Sequence, residues 1–82
     1  MQVASWRSYP NPANEEVSID FGETIASGRI ELVGMLGQVL LYYDVENQEH
    51  HKMNVSALTQ GEYILRFIKN DDTVIVKPIL IY

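Results

Sequence analysis

The chain has 82 residues, a formal net charge of -5 and a hydrophobic fraction of 46%. This length allows one domain with a thin core, and the apolar content is typical of a folded chain rather than a disordered one. The acidic balance argues against a nucleic-acid interface and against docking on anionic lipid, because both need clustered basic side chains. The absence of cysteine excludes disulfides, zinc–thiolate sites and cysteine nucleophiles.

Alternation of apolar and polar residues predicts short β-strands along the whole chain. The predicted strands cover residues 3–9, 17–21, 28–32, 38–43, 50–55, 62–69 and 73–82. Polar or glycine-containing segments at 23–28, 34–37, 44–49, 59–61 and 70–72 predict the turns between them. About seven short strands with a turn roughly every ten residues predict an all-β, antiparallel sandwich rather than βαβ units.

The longest apolar runs, 39–43 and 79–82, are too short to span a bilayer. The residues after Met1 lack the charged-then-apolar order of a secretory signal. For a secreted protein we therefore expect the secretion signal further upstream, in a larger polypeptide. Residues 1–8 are predicted to be a linker or a first edge strand, and residues 9–82 a single domain.

Two segments contain residue types that can bind metal ions, but the spacing of those residues does not favour a metal site in either segment. His50 and His51 are adjacent, and neighbouring side chains of a strand point to opposite faces, so they cannot hold one ion together. An acidic segment has oxygen ligands at a spacing suited to calcium, but it has no glycine and an incomplete ligand series; its candidate ligands are Asp44, Glu46, Asn47 and Glu49. We expect an outward and a core-edge histidine, a solvated acidic turn, and no metal or cofactor.

The sequence has none of the arrangements that indicate catalysis. Its serines do not lie in a nucleophile-elbow pattern, and no glycine-rich phosphate loop is present. The paired carboxylates at 15–16 and 71–72 lie in predicted turns, where burial cannot tune their pKa for acid–base work. The chain is therefore predicted not to be an enzyme.

The last two strands are apolar on both faces, whereas a two-sheet sandwich buries only one face of each strand. This pattern predicts an exposed apolar patch, which in a small domain usually marks an interface. The residues assigned to the patch are Ile64, Ile68, Ile75, Ile79 and Ile81. The alternative is that a bulge near Pro78 or a covering loop buries them.

Two local patterns carry further information. Tyr9-Pro10-Asn11-Pro12 is stiff, because each proline fixes its own φ and neither donates a ladder hydrogen bond. Gly61 stands just before a strand, where it supplies a positive φ. Tyr63 then begins the inward face of that strand, with Leu58 as the apolar plug beneath the turn.

In this order, the patterns resemble the type A C-terminal sorting domain of the type IX (Por) secretion system. The resemblance covers residues 9–82. It rests on four motifs: Tyr9-Pro10-Asn11-Pro12-Ala13; Leu36-Gly37-Gln38; the segment 56–65 with Leu58, Gly61 and Tyr63; and a terminal aliphatic strand with Lys77, Ile79 and Ile81. Glu62 stands where the family often has an aliphatic residue. Pro78 stands where it often has a second lysine or a strand former, and it removes one ladder donor.

The resemblance implies a seven-stranded, immunoglobulin-like sandwich that serves as an export tag. It implies an upstream passenger with a signal peptide, which passes through the periplasm to the cell surface of a member of the Bacteroidota. The implied partners are the type IX outer-membrane translocon, its shuttle protein and a cysteine-protease-like sortase. The sortase would remove the domain upstream of or near residues 1–8.

Other functions remain open from the residues alone. An immunoglobulin-like module for carbohydrate binding or adhesion would need an exposed aromatic platform, for which the candidates are Trp6, Tyr9, Tyr42, Tyr43 and Tyr82. A purely structural stalk domain would need no ligand. Exposed strand edges or the isoleucine patch could also make the isolated chain a homodimer.

Overall fold

The structure is a computed structural model that describes residues 6–9 and 15–82. These residues form five strands: β1 (Arg7–Tyr9), β2 (Glu16–Val33), β3 (Val39–Asn54), β4 (Gly61–Lys69) and β5 (Val74–Ile81). All the pairings are antiparallel, which confirms the predicted all-β class. Within the described ranges no helix is long and apolar enough to cross a membrane.

The two longest strands correct the predicted strand number. β2 and β3 continue through segments 23–28 and 44–49, which their composition predicts to be turns. The register between the two strands shifts between Asp20 and Ile25, and positive φ angles occur at Gly22 (74°) and Asn47 (52°). An irregularity of this kind bends a strand without ending it. Four of the predicted short strands are therefore halves of two long ones, and the described residues form five strands rather than about seven.

The bend in β2 divides one sheet into two parts that face each other. The first half of β2 pairs with β1 and the end of β3, and its second half pairs with the start of β3 and with β4. β5 completes the second part by pairing with β4. Phe21 in the first half of β2 lies 4.8 Å, ring to ring, from Phe67 in β4, so side chains from both parts meet in one core. The immunoglobulin-like topology stays a prediction.

The core consists of inward side chains from all of the longer strands. Period-two alternation places every second residue of β2, β4 and β5 on this face. The largest fully buried side chains are Phe21, Phe67, Ile19, Ile30, Leu32, Met53, Leu65 and Ile81. Trp6, just before β1, is only 3% exposed and joins the same cluster. The first strand is thus attached to the core by the residue that precedes it.

Pro78 does not interrupt the last strand. β5 runs continuously from Val74 to Ile81, and Pro78 lies opposite Ile64 in an unbroken register. Among the described residues, β5 pairs only with β4. Alternate N–H groups of a strand point away from one neighbour, and a donor missing at such a position costs no hydrogen bond to that neighbour.

Candidate docking surface

Three of the sequence motifs meet at one end of the molecule, although they are far apart along the chain. We call this region the loop end and define it as residues 34–38, 55–61 and 79–82. A groove of about 540 Å³ lies between the first two segments, and one of about 320 Å³ lies between Met35, β4 and β5. The residues that line both grooves are Met35, Glu62 and Tyr63. The loop end is therefore a nearly continuous concave surface.

The β2–β3 loop is a tight hairpin that its glycines permit. The Gly34 amide donates to the Gln38 carbonyl at 2.8 Å, and the Gly37 amide donates to the Gly34 carbonyl at 2.9 Å. The Gln38 side-chain amide lies directly over Gly34, where an added Cβ would come within 2.8 Å of it. Gly37 has a φ of 89°, a conformation that favours glycine. The motif residues Gly37 and Gln38 thus shape this loop.

Tyr63 fixes the β3–β4 loop from below. Its hydroxyl donates to the Thr59 carbonyl at 2.5 Å, while the ring is buried in the core. Leu58 packs against the same core, and its amide donates to the Val55 carbonyl at 3.1 Å. Gly61 has a φ of 154°, which glycine alone adopts readily. As predicted, Gly61 and Tyr63 stand at the start of a strand, and Leu58 packs beneath the turn that precedes it.

The outward face of β5 is apolar, but its residues differ from the predicted ones. Ile79 and Ile81 are 2% and 1% exposed and belong to the core, and Ile75 packs against the core from a half-buried position. The prediction of an exposed patch is therefore wrong for Ile79 and Ile81. The exposed residues of this strand are Val74, Val76 and Leu80, at 50%, 55% and 44%. Because both faces of β5 are apolar, the sequence pattern could not distinguish the buried one.

Ile64 and Ile68 face outward, as predicted, but they are half-buried and share this face with Val74 and Val76 rather than with Ile75, Ile79 and Ile81. The register places Ile68 opposite Val74, and Ile64 opposite Pro78. We define the outer apolar face as Ile64, Ile68, Val74, Val76, Pro78 and Leu80. It is continuous with the loop end, because Ile64, Leu80 and Met35 line one groove.

An ion pair with a buried carboxylate lies within the outer apolar face, because Arg66 stands between Ile64 and Ile68 on β4 and opposite Val76. Glu31 is only 7% exposed, although it lies on the outward side of β2. Two nitrogens of the Arg66 guanidinium lie 2.7 Å and 2.6 Å from one Glu31 oxygen. Arg29 lies 3.9 Å from the other Glu31 oxygen and 3.3 Å from Asp44, and it stacks over the Tyr42 ring at 4.6 Å. The charges of these two cations and two anions balance, so the four side chains add no net charge to this part of the surface.

Residues 7–82 match the family described as the secretion system C-terminal sorting domain. The chain belongs to this family. It is a sorting signal of type IX secretion and not a catalytic domain, and its family indicates export to the cell surface or extracellular space. No curated protein matches the chain. The match begins where β1 begins, two residues before the first motif.

Most motif residues of the sorting domain serve its fold. Ile79 and Ile81 fill the core, and Lys77 donates to the Trp6 carbonyl at 2.5 Å. Tyr9 is exposed at the end of β1. Pro10, Asn11 and Pro12 lie outside the described residues. The motif therefore identifies the family largely through residues that shape the loops and the core.

Sequence reasoning missed the most exposed apolar residues of the sorting domain. Met35 and Leu36, at the tip of the β2–β3 hairpin, are 65% and 92% exposed. The sequence could have indicated that these two residues are exposed contact residues, because turn tips ordinarily carry polar residues and these apolar residues stand between glycines. Exposed apolar side chains at a loop tip, next to a groove, are typical of contact residues.

The aromatic residues do not form one platform in the described part of the chain. Trp6 is buried, and Tyr43 is half-buried on the inward side of β3. Tyr42 is exposed on the outward side of the same strand, whereas Tyr82 follows β5 at the loop end. This separation does not support a flat carbohydrate-binding surface.

The acidic segment and the histidine pair take structural positions. Within the described residues, no three side chains of the metal-ligating types lie close enough together to hold an ion. Asp44 pairs with Arg29 inside β3, so segment 44–49 is strand rather than the predicted acidic turn. His50 faces outward, with its Nδ1 atom 3.7 Å from Asp20, and His51 is half-buried beside Tyr43. The two histidines therefore lie on opposite faces, as predicted.

The sorting domain is expected to lose stability between about pH 7.5 and 5.5 because of His51. Burial lowers the pKa of His51 from its usual 6.5, and its buried Nε2 has no hydrogen-bond partner among the described residues. Below about pH 6.5 the unfolded chain then binds more protons than the folded one, so the stability falls as the pH falls. The lowered pKa values of Asp20 and Asp71 keep both carboxyls ionised in this range.

The midpoints of urea unfolding at pH 7.5 and pH 5.5 measure this loss of stability. His51→Gln should reduce the pH dependence, whereas the matched variant His50→Gln should keep the part due to His51. Equal pH dependence in the wild type and His51→Gln would contradict the assignment.

Proposed function

We propose that the type IX translocon and its shuttle protein bind this sorting domain through the outer apolar face and the adjoining loop end. A cysteine-protease-like sortase then removes the domain from its passenger at the cell surface. The family match over residues 7–82 carries the export part of this proposal. The exposed side chains described above support the choice of surface.

Two properties of the outer apolar face favour docking. Val74, Val76 and Leu80 project from β5, and Leu80 lines a groove together with the exposed Met35. Arg66, the charged residue of β4 on this face, is paired with Glu31, so a partner meets no unpaired charge there.

The route and the boundary of the domain follow from the same proposal. A passenger with an upstream signal peptide enters the periplasm, and the folded domain then directs it across the outer membrane. We place the start of the folded domain at Trp6 rather than at residue 9, because Trp6 is buried and β1 pairs with β2. Sortase cleavage then falls before this point.

The test is a fusion of a signal peptide, a reporter and residues 1–82, expressed in a bacterium with a type IX system. The expected result is a reporter at the cell surface. A reporter that stays in the periplasm would disprove sorting by this chain. The docking surface is tested by the double substitution Val76→Asp and Leu80→Asp, which should reduce surface delivery at least about tenfold, because two charges would then enter an apolar interface.

The matched control places Thr24→Asp and Ala26→Asp on the exposed bend of β2, away from the outer apolar face. This control should be delivered like the wild type. Circular dichroism of each purified domain shows whether it is folded. Normal delivery of a folded Val76→Asp, Leu80→Asp variant would rule out the outer apolar face as the docking surface. Deleting residues 77–82 is a poorer test, because it also removes Ile79 and Ile81 from the core.

Removal by the sortase is tested by the mass of the delivered reporter. In the wild-type host the surface reporter should lack residues 6–82, and in a host without the sortase it should retain them. A surface reporter that keeps the domain in both hosts would contradict the cleavage step and leave the sorting step unaffected.

A further inference from the structure

The first strand is attached to the sorting domain by few contacts. β1 has three residues and, in the described part of the chain, pairs only with β2. Its own side chains are exposed or half-buried, and its ion pair joins Arg7 and Asp20 at 3.5 Å on the surface. Such a pair contributes little to stability. The attachment of β1 therefore depends on what surrounds Trp6.

Trp6 is held from two sides. Its ring lies 6.0 Å from the Phe67 ring in the core. The Lys77 ammonium of β5 lies 5.2 Å from the centre of the Trp6 ring and donates to the Trp6 carbonyl at 2.5 Å. A cation over an indole ring and a charge-assisted hydrogen bond are both favourable, the more so because Lys77 is partly desolvated. One side chain of the last strand thus contacts the backbone and the ring of the residue that anchors the first.

The same site contains a feature that weakens the closed state. The Trp6 indole Nε1 is buried and has no hydrogen-bond partner among the described residues. A buried donor without an acceptor loses its hydrogen bond to water and regains it when the ring is released. Closing β1 is therefore favoured by Lys77 and Phe67 and opposed by this unpaired N–H.

We propose that Lys77 acts as a latch that holds β1 closed, and that β1 opens as a unit while the rest of the domain stays folded. Opening converts the segment around Arg7 from a paired strand into an extended chain that a protease can bind. The latch thereby makes protease access at the passenger side of the domain depend on the state of the last strand. This inference concerns the isolated fold and does not rest on the proposed docking surface.

Limited trypsin digestion of the 82-residue chain tests the latch. Trypsin cleaves after Arg7 only when β1 is open, and after Arg66 in the middle of β4 only when the sheet is open. When opening and closing are fast, each cleavage rate follows the population of the open form. Lys77→Met removes the ammonium and keeps much of the side-chain volume. It should speed cleavage after Arg7 about tenfold, while the rate after Arg66 changes much less.

Two controls define the result. Lys52→Met makes the same charge change at an exposed position of β3 and should leave both rates unchanged. Lys77→Arg keeps a cation and should keep cleavage after Arg7 slow. An unchanged rate after Arg7, or an equal acceleration after Arg7 and Arg66, would overturn the latch.

Hydrogen exchange in the unaltered chain gives a second test that needs no variant. The latch predicts that protected β1 amides exchange at least about a hundredfold faster than the β4 amides paired with β2, since opening β1 leaves that pairing intact. Equal protection in β1 and β4 would show that β1 opens only with the whole domain, and the proposal would fail.

Discussion

Replacing Ile79 with aspartate is expected to unfold the domain, whereas the same change at the next residue, Leu80, should leave it folded. Ile79 is 2% exposed in the core, and an unpaired carboxylate there costs several kcal/mol. A domain of this size has a total stability of about 4–12 kcal/mol, so little or none of it would remain. Leu80 is 44% exposed on the outward face, and its change should alter the stability by no more than about 0.5–1 kcal/mol.

Circular dichroism and urea unfolding of the two variants measure this difference. The comparison determines which face of β5 is buried, because the two residues are neighbours on opposite faces of one strand. A folded Ile79→Asp variant together with an unfolded Leu80→Asp variant would mean that β5 has the opposite register.

Truncating Phe67 to alanine is expected to lower the free energy of unfolding by about 3–5 kcal/mol. Phe67 contacts Phe21 from the other part of the sheet and Trp6 from before β1. The variant loses apolar burial and leaves a cavity where the two parts of the curled sheet meet. The thin core of a small domain has few other side chains that can fill such a cavity.

Urea unfolding measures the change, and Tyr82→Ala is the matched control, because Tyr82 is an exposed aromatic residue at the loop end. The control should change the stability by about 0.5 kcal/mol or less. A loss below about 1 kcal/mol in Phe67→Ala would show that the two parts of the sheet do not pack through this residue.

The corrections to the sequence-based expectations have one origin. Alternation along a segment shows that it is a strand, but it does not show whether the strand continues through a polar stretch. Segment 44–49 is acidic and is nevertheless strand, because its backbone pairs with β2. Asp44 lies beside Arg29 of that strand, and Asn47 adopts a positive φ at the bend. Neither the contact between Asp44 and Arg29 nor the bend at Asn47 is apparent from local sequence.

The docking surface, too, could be predicted from local sequence only in part. The loops of the loop end could be anticipated from Gly37, Gly61 and Tyr63, because their conformational and packing roles are local. That these loops and the end of β5 form one grooved surface could not be predicted, since the contact depends on how the sheet curls. The exposure of Met35 and the burial of Glu31 beneath Arg66 are further results of that arrangement.

By itself, the sequence determined that the chain is an all-β domain with no recognisable catalytic arrangement, and its ordered motifs identified the sorting-domain family. These conclusions depend on period-two alternation, turn residues and residue types, which are properties of short segments. Only the tertiary structure decided which face of the last strand is buried, because both faces of β5 are apolar and the choice depends on what packs against them. The tertiary structure also decided that Lys77 meets Trp6, a contact between residues 71 positions apart that no local pattern encodes.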